Sequence, residues 1–116
     1  MTNKQKFDLE ERTAKFGEEI VCFAKDMPKN EVTCPIINQL VKCGTSVGAN
    51  YCEADDAESR KDFKHKIGIC KKEARETKHF LRMSAIAVEE MAERARKLWH
   101  EARELNLILN AIYKKL

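Results

Sequence analysis

After Pro35 the chain contains no further proline, and its 116 residues include only two prolines and four glycines. So few breakers leave long stretches that nothing interrupts as helix. Runs in which Val, Ile and Thr alternate with polar residues are also missing, which argues against strands. No Cys-x-x-Cys pair occurs. The five cysteines, Cys22, Cys34, Cys43, Cys52 and Cys70, are odd in number and lack the ligand spacing of a structural zinc site. They read as reduced thiols acting as small hydrophobes, and Cys22, Cys43 and Cys70 are placed to face apolar seams. No stretch approaches the roughly 18 apolar residues of a membrane span. The segment from Met1 to Lys6 is polar, unlike a signal peptide. A cytoplasmic protein without a membrane partner is the expectation.

The chain is 43% hydrophobic and 35% charged, the balance of a folded core under a heavily charged surface rather than of a disordered segment. Its length fits a single domain over residues 1–116, large enough to bury a core without cross-links. Four apolar stripes recur at helical spacing. The first is Leu9, Phe16, Ile20, Phe23 and Met27, with Asp8 as a cap and Glu11 three residues on; Met27-Pro28 ends it. The second is Ile36, Leu40, Cys43, Val47 and Tyr51, opened by Thr33 or Cys34 with Pro35 in the first turn. Gly44 and Gly48 lie four apart within it. Two glycines inside a helix cost roughly 1 kcal/mol each relative to alanine, so close approach of a neighbouring helix is expected there. A phosphate-cradling loop is the alternative, but the Lys-Ser/Thr that completes one is missing after Gly48.

The third stripe is Phe63, Ile67, Cys70, Ala74, Thr77 and Leu81, capped by Ser59 with Asp62 three residues on. The fourth is Met91, Ala95, Leu98, Ala102, Leu105, Leu109 and Ile112. The third seam runs through Ser84 and Val88 into the fourth without a phase break, so one long helix over 59–116 is the competing reading. That rod would span about 87 Å at 1.5 Å per residue and leave its seam uncovered. A turn within 84–90 resolves this. The predicted fold is all-α, an antiparallel up-down-up-down four-helix bundle with helices at roughly 8–27, 34–55, 59–84 and 90–114.

Net charge is only +3, but it is unevenly spread. Residues 53–58 carry Glu53, Asp55, Asp56 and Glu58, and the first helix is acidic. Residues 59–84 hold nine Lys or Arg against three acids, a local balance of +6. On a helical wheel Lys64, Lys71, Arg75, Lys78 and Arg82 form one narrow stripe beside the core seam. Arg60 and Lys61 extend it and Lys72 widens it. Cations at these spacings can meet successive phosphates of RNA or DNA, although a solvated face whose long side chains cover apolar surface has the same pattern. A further strip, Ile69, Phe80 and Met83, would be exposed in a monomer and is a candidate oligomer interface. Trp99 reads as a packing anchor and Tyr51 as an interior residue.

Catalytic and metal chemistry find little support. Glu76 and His79 have the Glu-x-x-His spacing of di-metal bundles, but those need it on two helices with further carboxylates; Asp62 and His65 repeat it only loosely, on the same helix. His65, His79 and His100 fall in charged, solvent-facing stretches without a recognisable partner. No enzyme activity, metal or cofactor is expected.

The block Cys43-Gly44-Thr45-Ser46-Val47-Gly48-Ala49-Asn50-Tyr51-Cys52-Glu53-Ala54, followed by Ser59-Arg60-Lys61-Asp62-Phe63 and Lys71-Lys72-Glu73-Ala74-Arg75-Glu76-Thr77, resembles the bacterial four-helix-bundle family of 23S rRNA intervening-sequence proteins. The resemblance extends from Asp8 to Ile112. It implies an up-and-down bundle and a break between the third and fourth helices. It also implies similarity to the accessory protein of diversity-generating retroelements, a basic homopentameric bundle that binds nucleic acid and a reverse transcriptase. No catalytic residues come with it. The expected function is therefore a non-enzymatic oligomer binding RNA or DNA through the third helix. The alternative is an adaptor whose basic stripe meets an acidic protein partner.

Overall fold

The computed structural model describes residues 3–116, with side chains described from Leu9 onward. Four helices follow one another: α1 (Asn3–Asp26), α2 (Thr33–Asp55), α3 (Arg60–Ala87) and α4 (Ala92–Lys114). A single 3₁₀ turn, Glu89–Met91, precedes α4. Each helix packs on the next, and α1 meets α4 along a shorter seam. The result is an up-down-up-down bundle measuring 44 × 22 × 20 Å. No strand occurs among the described residues.

The seams read from the sequence supply most of the core, while their members Ile36, Phe63, Met91 and Ile112 are half-buried. Leu9, Phe16, Ile20, Phe23 and Met27 of α1 and its following turn are buried, as are Leu40, Cys43, Val47 and Tyr51 of α2. Ile67, Cys70, Ala74, Thr77 and Leu81 of α3 meet Ala95, Leu98, Ala102, Leu105 and Leu109 of α4. The buried hydroxyls of Thr13, Thr77 and Ser84 are satisfied by donating to backbone carbonyls one helical turn back, those of Glu10, Glu73 and Phe80. Helix ends follow local chemistry. Ser59 is extended and its Oγ accepts the Asp62 backbone N–H at 3.0 Å, capping α3 as predicted. Before α2, Asn30 Oδ1 accepts the N–H groups of Val32 and Thr33, both at 2.9 Å, a side-chain mimic of a backbone turn.

Three expectations are corrected. Helix α1 begins at Asn3 rather than Asp8, because Lys4, Gln5 and Lys6 favour helix and nothing interrupts them. Asp8 thus lies inside the helix and its side chain is outside the described residues. Cys22 is exposed rather than turned to a seam; it sits about 120° around the helix from Phe16 at 3.6 residues per turn. Helix α3 runs to Ala87, three residues beyond the expected Ser84.

The α3–α4 break falls at Val88, which leaves the helical region with φ −133° and ψ 87°. No glycine or proline marks it. Folding back here keeps Val88 buried against the core. It also places Glu89, Glu90 and Glu93 at the start of the next helix, where the helix dipole favours acids.

Gly44 and Gly48 serve the predicted close approach. A Cβ at Gly44 would lie 2.8 Å from Ile20 Cγ2, and one at Gly48 would lie 3.2 Å from the backbone oxygen of Thr13. The shorter α1–α4 seam is laced by ion pairs. Arg12 meets Glu101 through two 2.8 Å hydrogen bonds, and Arg94 meets Asp26 at 2.7 Å. Partly exposed pairs of this kind contribute about 0–1 kcal/mol each.

Cys43 and Cys70 are buried, while Cys22, Cys34 and Cys52 are exposed. Burial pushes the Cys43 thiol up, and the Cys70 thiol up to about 12. Because the thiolate is the reactive form, a maleimide at neutral pH should label Cys22, Cys34 and Cys52 in the native protein and all five cysteines after denaturation. Rapid native labelling of Cys70, read by peptide mass spectrometry, would contradict this packing.

Candidate functional site

The basic stripe of α3 lies along its border with α4, and the two helices share a cleft of about 340 Å³. Lys71, Lys72, Arg75 and Lys78 line it from α3, and Asn106 and Asn110 line it from α4. The amides fix the backbone and one cation of the opposite wall. Asn106 Nδ2 donates to the Lys71 carbonyl at 2.8 Å, and Lys71 Nζ donates to Asn110 Oδ1 at 3.2 Å. Among the described residues, no carboxylate lines the cleft.

Aromatic rings of α4 hold the stripe's lysines at both ends. Lys64 Nζ and Lys71 Nζ lie 4.9 and 4.2 Å from the centroid of the Tyr113 ring. That ring fits because Gly68, between the two lysines on α3, has no Cβ; one there would come 3.3 Å from Tyr113 Cε2. Lys78 Nζ lies 5.6 Å from the centroid of the Trp99 ring. Such contacts contribute about 0.5–1 kcal/mol at exposed sites, and they orient an ammonium without cancelling its charge. Among the described residues, none of Arg60, Lys61, Lys64, Lys71, Lys72, Arg75, Lys78 and Arg82 forms an ion pair with a carboxylate. The α3 cation that does is Lys66, which reaches Glu53 of the acidic patch at 3.4 Å.

The stripe is therefore a coherent cationic flank, with exceptions at its edges. Arg60 reaches the Lys115 carbonyl at 3.5 Å at the far end. Lys61 and Arg82 are exposed and outside the cleft. Glu73, half-buried on α3, has its carboxyl pushed up by burial first and by Glu76 second, with Lys72 and Lys42 opposing.

The candidate interface strip is placed differently from expectation. Ile69, Phe80 and Met83 are half-buried rather than exposed, and Phe80 packs against the core of its own chain. A strip beside the seam is partly sheltered by the helices flanking α3, which a single-helix wheel does not register. Among the described residues the large apolar side chains left open are Val21, Val32, Ile86 and Leu107, with Ile86 at the α3–α4 corner 77% exposed. Trp99 is half-buried and packs on the core as an anchor, with its indole edge-on to His100 at 5.2 Å.

Asn106, Asn110 and Tyr113 did not emerge from the reading of α3. Their signal lies in α4, where Trp99, Asn106, Asn110 and Tyr113 fall one position after the seam residues Leu98, Leu105, Leu109 and Ile112. No three of the described His, Cys, Asp and Glu residues converge to hold a metal ion. No helix among the described residues is long and apolar enough to cross a membrane.

A family model described as 23S rRNA-intervening sequence protein matches residues 5–114. A solved structure from Bacteroides thetaiotaomicron VPI-5482, described as a protein with unknown function from the S23 ribosomal protein family, is similar in fold and sequence. It is 29% identical, with a TM-score of 0.81 over 91% of this chain and 98% of that one. No curated protein matches the chain.

Proposed function

Because the chain belongs to the 23S rRNA-intervening sequence protein family, we propose that it is a non-enzymatic, cytoplasmic bundle that binds RNA or DNA through the α3–α4 flank. The observation that carries this reading is the cleft lined by Lys71, Lys72, Arg75 and Lys78 with no carboxylate in its wall among the described residues. Nucleic-acid affinity comes largely from such cations neutralising phosphates and releasing the condensed counterions into solution. The amides of Asn106 and Asn110 offer hydrogen bonds beside the charges, and Lys64 and Arg82 prolong the track along α3. A self-associating chain would present several of these flanks at once, and Ile69, Phe80 and Met83 are the residues proposed for that contact; a pentamer is the assembly expected from the resemblance. Reverse transcriptase or another protein would then be a further partner.

A gel shift with mixed RNA and DNA fragments, run at low and at moderate salt, tests the reading. A shift at low salt that weakens strongly at moderate salt is expected. Absence of any shift at low salt would overturn it and favour an adaptor for an acidic protein.

A further inference from the structure

Toward the α3–α4 corner, the same two helices line a second hollow of about 490 Å³. Leu81, Ala85, Ala95 and Trp99 give it apolar walls, Arg82 and Arg96 are its charged lining residues, and no carboxylate among the described residues lines it. Its size falls within the roughly 300–1,000 Å³ of small-molecule sites, which pair apolar walls with a few polar groups. Lys78 joins the two hollows: it lines the cleft, and its ammonium lies over the Trp99 ring of the apolar hollow. One side chain thus separates a place for an anion from a place for a flat apolar group.

We infer that the α3–α4 groove is built for single-stranded polynucleotide, with a phosphate in the Lys71–Arg75–Lys78 cleft and a neighbouring base in the hollow walled by Trp99. This rests on the nucleic-acid reading above and narrows it. A duplex stacks its bases inward and offers a protein mainly phosphates, sugars and base edges, leaving the apolar hollow without an occupant. A single strand presents free ring faces that stack on aromatic side chains while its backbone follows a basic groove. The arginines lining the hollow match the negative charge of the strand that enters it.

Trp99 is the chain's single tryptophan, so the emission comes from one ring, which borders the hollow and has the Lys78 ammonium over it. The full-length protein is titrated with one oligonucleotide of mixed sequence, single-stranded or annealed to its complement. Polyphosphate and polyglutamate serve as polyanions without bases. Binding is followed by anisotropy of labelled probes and by Trp99 emission. The single strand is expected to bind more tightly than the duplex and to quench Trp99 more strongly than polyphosphate, which reaches the ring only through Lys78. Trp99→Leu is expected to weaken single-strand binding by about 5- to 160-fold, the range of one base–aromatic stack, without changing polyphosphate binding. Trp99→Phe keeps a flat ring and should retain most of the affinity, which separates stacking from a folding defect.

Equal binding of single strand and duplex with unchanged emission would overturn the inference while leaving phosphate binding intact. So would polyglutamate competing as well as the single strand. Failure of both oligonucleotides and polyphosphate to bind would overturn the nucleic-acid reading itself, and the inference with it.

Discussion

Reversing Lys64, Lys71, Arg75 and Lys78 to Glu together is expected to abolish binding to RNA and DNA while the protein remains helical. These side chains follow one another along the α3 flank, and none is paired with a carboxylate among the described residues. Replacing four cations with four anions removes the counterion release that drives association and puts repulsion in its place. For the unaltered protein, about four neutralised phosphates give a slope of about −3.6 in log affinity against log salt, or about 10²-fold between 50 and 200 mM on duplex DNA. The reversed variant should show no measurable binding even at the lower salt. The fold should survive, because Lys64, Lys71 and Lys78 are half-buried, Arg75 is exposed, and none of the four belongs to the core. The loss of three cation–π contacts costs about 0.5–1 kcal/mol each, visible as a modestly lower melting temperature by circular dichroism. Binding that persists in the variant would place the site elsewhere.

The second large effect concerns stability. Gly44→Leu should destabilise the bundle by about 3 kcal/mol or more, and Gly44→Ala by up to about 2 kcal/mol, from overpacking that normally costs about 1–3 kcal/mol. At Gly44 a new Cβ would stand 2.8 and 2.9 Å from Ile20 Cγ2 and Cγ1, and 3.1 Å from Ile20 Cβ. Ile20 is fully buried and stiff about its first side-chain torsion, so it has little room to retreat. Alanine recovers roughly 1 kcal/mol of helix propensity, which is why its net effect is smaller than that of leucine. The mechanism has its own signature. In an Ile20→Ala background the penalty of Gly44→Ala should shrink or change sign, giving a favourable coupling in urea unfolding. A penalty that is the same in both backgrounds would mean that the two helices do not meet at this point.

These outcomes separate what residue order alone discloses from what needs the assembled bundle. The core was legible because burial in a helix repeats every three or four residues, and Leu40, Val47, Ile67, Leu81, Leu105 and Leu109 follow that rhythm into full burial. Ser59 was legible because a cap is a local hydrogen bond. The turn at Val88 could be bracketed but not located. It carries no breaker, and the apolar phase continues across it; the local signal is the acids Glu89, Glu90 and Glu93 at the start of the next helix, which the seam pattern does not register.

The site was half legible. The cations of α3 stand out on one helix, but the cleft needs the partner wall. Whether Asn106, Asn110 and Tyr113 face Lys71 depends on how α4 is aligned against α3, which no single-helix pattern encodes. The same limitation explains Ile69, Phe80 and Met83. A wheel separates core from non-core, but half-burial beneath neighbouring helices is a property of the packed set.

Lysine acetylation of the full-length protein, mapped by mass spectrometry with and without a single-stranded oligonucleotide at low salt, tests the location of the binding face most directly. Protection is predicted at Lys71, Lys72 and Lys78, with Lys15 and Lys25 on α1 modified equally in both samples. Protection centred on α1, or spread evenly over all the lysines, would contradict the assignment of the α3–α4 flank.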